Sequence, residues 1–217
     1  MKYYIDASST NLDDLQTRLQ ATDLIPSHQP LLEGMAKKIG LLKKAGVNSL
    51  TDLRARMKSK KSLASLADDS GVDPDYLVLL RRVVEGFFPK PQALKVFDWL
   101  EKNTVVKLEK VGVSNTLQLF ETASSGADAL VKNAGLKKKE LSELIALSDL
   151  SRVQWVSPTF ARVLVVAGFT KAAAVAKAKP EVLYDAIMRA NEDALFYKGK
   201  VGLRDIKRLV VAATYVP

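Results

Sequence analysis

The chain has 217 residues, of which 47% are hydrophobic and 26% charged, so it can bury a core and is not disordered. It has no cysteine, which excludes disulfides, thiolate zinc sites and cysteine nucleophiles, and its single histidine, His28, excludes a multi-histidine metal cluster. The sequence indicates no cofactor, catalytic constellation, small-molecule substrate, signal peptide or membrane-spanning run. We therefore expect a cytoplasmic protein that is not an enzyme.

The net charge of +9 is unevenly distributed along the chain. Residues 151–217 contain 11 basic and 5 acidic residues, so most of the positive excess lies in the last third. A basic bias of this kind favours binding to polyanions.

The first 90 residues carry capping and stop signals that predict five helices. Thr10 with Asp13 forms a candidate capping box at the first helix, and Asn11 is the alternative cap. Gly46 and Gly71 follow segments of helical apolar spacing and mark helix ends. The predicted helices cover residues 10–19, 30–45, 50–57, 62–69 and 74–87.

Two prolines within Phe88–Pro91 predict a boundary between an N-terminal helical subdomain, 1–90, and a C-terminal domain, 91–217. In the second domain, Ser157 with Pro158 opens a helix that ends at Gly168. No segment has strand periodicity over a useful length, so the fold class is predicted to be all-α. Helices are expected to begin near residues 97, 116, 127, 137, 157, 172, 180 and 202.

Spacing within the chain predicts tandem helical units of about 60 residues. Trp99 precedes Gly112 by 13 residues, and Trp155 precedes Gly168 by the same distance. These matched positions favour packing of both tryptophans in the core, whereas an exposed tryptophan would suit stacking on a nucleic-acid base.

The run from Leu108 to Val216 resembles the bacterial family called domain of unknown function 4332, which consists of tandem helix-hairpin-helix (SAM-like) units. The resemblance implies three such units, the first and loosest within residues 24–90, and it implies no agreed activity. It rests on Leu108-x-x-x-Gly112-Val113, on Ser148-Asp149-Leu150-x-Arg152-Val153, and on Ser157-Pro158-x-x-Ala161-x-x-Leu164-x-x-x-Gly168.

DNA-binding members of the wider superfamily have a Gly-hydrophobic-Gly hairpin whose backbone N–H groups hold a phosphate. Here the corresponding residues are Trp155, Val156 and Ser157. Tryptophan adds bulk where close approach is needed, and serine is expected to cap the helix itself. The other two hairpins, which we place around residues 25–27 and 99–101, also lack the glycines, and this departure counts against phosphate binding by the hairpins.

The strongest candidate polyanion site is a Gly-x-x-Gly turn that enters the last helix. Exposed amides and the helix dipole suit a phosphate there, and the flanking cations would add to the attraction. The alternative is a solvated loop before an amphipathic helix. The predicted nucleic-acid-binding residues are Lys198, Gly199, Lys200, Gly202, Arg204, Lys207 and Arg208.

Two other basic clusters are weaker candidates. Residues 137–139 are three lysines at a helix start, where cations oppose the dipole, so we interpret them as a solvated turn. The cluster from Arg54 to Lys61 is diluted by Asp52, Asp68 and Asp69.

Two functions therefore remain open. The first is a non-enzymatic nucleic-acid-binding module that contacts the backbone of DNA or RNA through the basic C-terminal loop and helix. The second is a protein-protein interaction scaffold of stacked helical repeats that binds no nucleic acid.

Overall fold

The computed structural model describes residues 2–192 and 195–217. These residues form two compact units, one of residues 4–88 and one of the described part of 89–217 together with Lys2 and Tyr3. The regular structure of both units is helical, and within the described ranges only two isolated β-bridges interrupt that pattern. No helix in these ranges is long and apolar enough to cross a lipid bilayer.

The N-terminal unit surrounds a core of leucine, isoleucine, valine and methionine side chains closed by Tyr76 and Phe87. These side chains recur at helical spacing, so each helix turns one apolar stripe inward. The unit contains α1 (Leu12–Ala21), a 3₁₀ helix (Pro26–Leu32), α2 (Met35–Lys44), α3 (Leu50–Arg56), α4 (Lys60–Ser70) and α5 (Pro74–Glu85).

Asn11 caps α1, as the alternative prediction had it. Its side-chain oxygen accepts hydrogen bonds from the backbone N–H groups of Asp13 and Asp14 at 2.8 and 2.9 Å, and Asp14 accepts from Asn11 N–H at 3.0 Å. The predicted pairing of Thr10 with Asp13 is wrong, because the Thr10 hydroxyl donates to the carbonyl of Asp6 at 2.8 Å.

The single helix predicted over residues 30–45 is wrong at its start. Gly34 adopts a left-handed conformation with φ of +60°, which ends the 3₁₀ helix and lets α2 begin at Met35. The carbonyl of Leu31 accepts a hydrogen bond from the Tyr76 hydroxyl at 3.1 Å, and burial raises the pKa of Tyr76 to about 12. Glu33 and Gly34 therefore connect the 3₁₀ helix to α2, and the hairpin that we placed at residues 25–27 is instead the start of the 3₁₀ helix, with Ile25 as its N-cap.

The C-terminal unit packs seven α-helices, in its described residues, around a second core. The predicted helices at 116–120 and 127–134 form one element whose helical dihedral angles break at Gly126. Its elements are a 3₁₀ helix (Leu94–Val96), α6 (Lys102–Lys110), α7 (Thr116–Ala134), α8 (Lys138–Leu150), α9 (Pro158–Val166), α10 (Ala172–Ala176), α11 (Pro180–Glu192) and α12 (Leu203–Thr214).

The predicted start of α6 near residue 97 is wrong by five residues. The rings of Phe97 and Trp99 meet edge to face with centroids 5.4 Å apart. Residues two positions apart point away from each other on a helix, so this contact requires a non-helical backbone before Glu101, the N-cap of α6.

Three helices, α2, α6 and α9, end with the same backbone motif. In each, a glycine with φ between +82° and +90° is followed by an apolar residue whose N–H bonds to a leucine carbonyl in the last turn. A positive φ is unfavourable for other residues, so the predicted glycine stops are confirmed. The bonds are Val47 to Leu42 after Gly46 (3.1 Å), Val113 to Leu108 after Gly112 (2.9 Å), and Phe169 to Leu164 after Gly168 (2.8 Å).

A buried carboxylate joins the helices around the 151–157 turn. Asp149 accepts hydrogen bonds from Arg152 Nε at 2.8 Å and from the backbone N–H of Ala172 at 2.6 Å. Arg152 in turn donates to the carbonyl of Lys2 at 3.2 Å and lies 4.5 Å from the ring centroid of Phe120. This network connects α8, the first turn of α10 and the N-terminal segment.

We expect Asp149→Ala to lower the free energy of unfolding by about 3 kcal/mol, because it leaves the buried Arg152 charge without its carboxylate. Urea denaturation followed by circular dichroism measures the loss. The exposed Asp98 is the matched control, and Asp98→Ala should change stability by less than about 0.5 kcal/mol. Equal effects of the two substitutions would contradict the structural role assigned to Asp149.

Candidate nucleic-acid interface

The predicted segment 198–208 consists of an exposed loop and the first turns of α12. The helix buries Ile206 and Leu209 in the core, as its apolar spacing predicted. Lys198, Lys200 and Arg204 are exposed. The segment therefore combines a core-facing stripe with an outward-facing group of cations.

The loop is fixed by the residue that precedes the cations, Tyr197. The Asn191 side chain donates to the Tyr197 carbonyl at 2.7 Å and accepts from its N–H at 2.9 Å. The Tyr197 ring packs on Phe160 of α9 with centroids 5.1 Å apart. A Cβ atom at Gly199 would lie 2.5 Å from the Tyr197 ring, so glycine permits this close approach. Lys198 and Lys200 thus lie on a loop anchored to α9.

The N-terminus of α12 already holds a carboxylate of the chain itself. Asp205 accepts a hydrogen bond from the backbone N–H of Gly202 at 3.0 Å. A carboxylate at this position interacts favourably with the positive end of the helix dipole. It also repels an incoming phosphate, so the amides at Gly202 are less available than the sequence predicted.

The two remaining predicted cations differ in their surroundings. The Arg208 side chain is only 11% exposed and lies 3.4 Å from Asp205. Lys207 is exposed, and its Nζ is 3.9 Å from Glu181, which is a weak pairing in solvent. The Arg208 side chain is therefore largely buried beside Asp205, whereas the Lys207 side chain is accessible on the surface.

Arg162 is a site residue that the sequence analysis missed. Its guanidinium lies over two rings, 4.8 Å from the centroid of Trp99 and 4.1 Å from that of Phe196. In the described part of the chain it makes no ion pair. A guanidinium in cation–π contact with rings keeps its N–H groups as donors for an oxyanion. The one available signal was that Arg162 is the single charge in α9, Pro158–Val166.

The turn before α9 presents Trp155 to solvent. The expectation that Trp155 packs in the core is wrong, because its side chain is 56% exposed. Its φ of +69° places it in the left-handed region, which turns the side chain away from its buried neighbours, Val153 and Val156. Trp99 instead packs against the core, so the matched spacing does not give matched burial.

Ser157 caps α9 as predicted, since its hydroxyl accepts the N–H of Phe160 at 3.2 Å. Pro158 occupies the first helical position and has no N–H. Two of the donors that a phosphate-binding hairpin offers are thus absent or already satisfied at this turn.

The C-terminal unit carries the match to a known family. The family model described as a domain of unknown function (DUF4332) matches residues 100–216, which is more than half of the chain. The chain belongs to this family. Comparison with curated proteins and comparison with solved structures give no match.

The DUF4332 match includes the Trp155 turn, Arg162 and the 198–208 segment, and it excludes the basic cluster of the N-terminal unit. In that cluster, Arg54 donates to Glu85 at 2.7 and 3.0 Å, and Arg56 pairs with Asp69. The cluster is therefore partly neutralised, in agreement with its dilution by acids. Within the DUF4332 match, Lys137, Lys138 and Lys139 are exposed at the start of α8.

No group of three histidine, aspartate or glutamate side chains in the described residues is arranged to hold a metal ion. The arrangement at the 198–208 segment is instead a set of exposed cations beside the packed rings of Phe160 and Tyr197. Such a set attracts oxyanions and planar rings.

We expect Asp205→Ala to lower the free energy of unfolding by about 1 kcal/mol, because it removes the hydrogen bond to Gly202 and the partner of Arg208. Thermal and urea unfolding measure the change. Asp185→Ala removes an exposed acid from the middle of α11 and should leave stability within about 0.5 kcal/mol of the native value. A loss that is no larger for Asp205 than for Asp185 would show that the cap is dispensable.

Proposed function

We propose that this chain is a non-enzymatic nucleic-acid-binding module that contacts backbone phosphates through its C-terminal loop and helix. The observation that carries the proposal is the anchoring of the 196–200 loop on α9, next to an arginine that contacts two aromatic rings. Phe196 stacks on Arg162, and Tyr197 packs on Phe160. The exposed lysines that follow therefore lie on a loop that packs against the same helix that carries Arg162.

The charge on this part of the unit supports binding to a polyanion. Lys198, Lys200, Arg204 and Lys207 are all exposed, and the single acid among them, Asp205, is engaged with Gly202. Each cation that meets a phosphate releases condensed counterions, which gives affinity without reading the base sequence. We infer that phosphates are bound by these side chains and not by the N-terminus of α12, because Asp205 already occupies the positive end of that helix dipole.

We also infer that the chain is built from three helix-hairpin-helix-like units. The shared glycine ends of α2, α6 and α9 support this inference, and in each case the next helix begins four residues after the glycine, at Leu50, Thr116 and Ala172. On this interpretation, the segments that directly precede α2, α6 and α9 are the hairpins, and these three segments differ in sequence. The approach to α9 is the one that carries the exposed Trp155.

Binding is expected to depend steeply on salt. The test is fluorescence anisotropy of labelled duplex DNA, single-stranded DNA and structured RNA over a series of potassium chloride concentrations. The triple variant Lys198→Gln, Lys200→Gln and Arg204→Gln should reduce the magnitude of the slope of log K against log salt by about two to three, since each lost phosphate contact contributes roughly 0.7 to 0.9.

A matched triple variant, Lys137→Gln, Lys138→Gln and Lys139→Gln, removes the same charge from the start of α8. It should retain most of the slope, because those lysines lie outside the proposed interface. Absence of binding at low salt would overturn the proposed function. Equal effects of the two triple variants would show that only net charge matters and would overturn the assignment of the site.

A protein-interaction scaffold is the second candidate, and a groove on α11 favours it. Tyr184, Met188 and Leu195 line an open groove of about 460 Å³ bordered by Asp185 and Arg189. Met188 and Leu195 are unusually exposed for apolar residues. Recovery of a stable protein partner after nuclease treatment, lost on Met188→Asp but not on the lysine substitutions, would favour this function over the first.

A further inference from the structure

The Trp155 turn has a conformation that keeps an aromatic ring on the surface. Ser151, Arg152, Val153, Gln154 and Val156 are all buried, and the tryptophan between them is exposed. The buried neighbours fix the backbone of the turn, so the indole projects from a rigid base. An exposed aromatic ring on a rigid base is the arrangement that stacks on unpaired nucleic-acid bases.

The backbone of Trp155 makes this exposure unusual. A φ of +69° is unfavourable for a side chain of this size and suits glycine. A glycine here would relax the turn and would remove the ring. The fold therefore does not need tryptophan at this position.

The same turn is poorly suited to hold the backbone of a duplex. The Phe160 N–H is bonded to Ser157, and Pro158 has no N–H to offer a phosphate. What remains for a ligand is the aromatic face and the nearby cations.

Those cations lie toward the same end of α9. Phe160 belongs to the first turn of that helix, and its ring packs on Tyr197. Lys198 and Lys200 follow Tyr197 directly and are exposed. A strand whose base stacks on Trp155 would carry its neighbouring phosphates toward these lysines.

We propose that Trp155 is a stacking platform for an unpaired base, and that the chain binds single-stranded nucleic acid in preference to duplex. This inference rests on the proposed nucleic-acid-binding function. The indole supplies the contact that distinguishes an unpaired base from a paired one, and the lysines supply contacts common to both ligands.

The test compares wild type with Trp155→Gly and Trp155→Phe in binding to a fluorescein-labelled oligothymidylate and to a duplex of the same length. Trp155→Gly should weaken single-strand binding on the order of ten-fold and leave duplex binding nearly unchanged. Trp155→Phe should retain part of the affinity because phenylalanine also stacks. Unlabelled oligothymidylate should quench tryptophan fluorescence in wild type and not in either variant, since Trp99 packs against the core.

Val182→Ala removes a similarly exposed apolar side chain from α11 and serves as the control, with no expected change in binding. Circular dichroism and urea unfolding should place Trp155→Gly at or above wild-type stability, which separates loss of stacking from loss of folding. If single-strand binding and its lysine dependence survive Trp155→Gly unchanged, the stacking role is overturned and the proposed function stands. If wild type binds neither ligand, both are overturned.

Discussion

The C-terminal unit depends on one buried carboxylate. Asp149 holds Arg152 inside the core and at the same time accepts the first N–H of α10, so a single side chain fixes the end of α8 against two other segments. Burying a carboxylate is costly unless its oxygens are satisfied, and here both oxygens are used. The position of the Trp155 turn follows from this constraint, because Arg152 is itself part of that turn.

The chain uses its own carboxylates at several helix starts. Asp14, Asp52 and Asp205 each accept backbone N–H groups at the first turn of a helix, and hydrogen bonds from the Ser49 hydroxyl and the Asn48 N–H lower the pKa of Asp52. These sites resemble the ones that bind phosphate in other helical proteins, but they are already filled by the chain. On the proposed function, a polyanion would therefore be bound by side chains such as the exposed cations around Lys198.

Local chemistry made the helix ends predictable from sequence, whereas contacts between distant segments were not. Ser157 as a cap and Gly168 as a stop were confirmed, because each depends on neighbours within a single turn. The Gly202-x-x-Asp205 cap has the same local character, but the basic residues around it favoured the interpretation of the turn as a phosphate site. The exposure of Trp155 and the contact of Arg162 with Phe196 depend on tertiary packing, which spacing along the chain does not encode.

The common ending of α2, α6 and α9 separates the sequence requirements of the helix C-terminus from those of the segment before the helix. The glycine and the apolar residue after it fix the backbone at the C-terminal end of each helix. They place no requirement on the segment that precedes the helix N-terminus. The three entries are accordingly free to diverge, and they hold Gly34, Trp99 and Trp155 at or near the turn. Such a division leaves the entry segment open to substitution, because the backbone of the helix end is secured by residues that lie outside it.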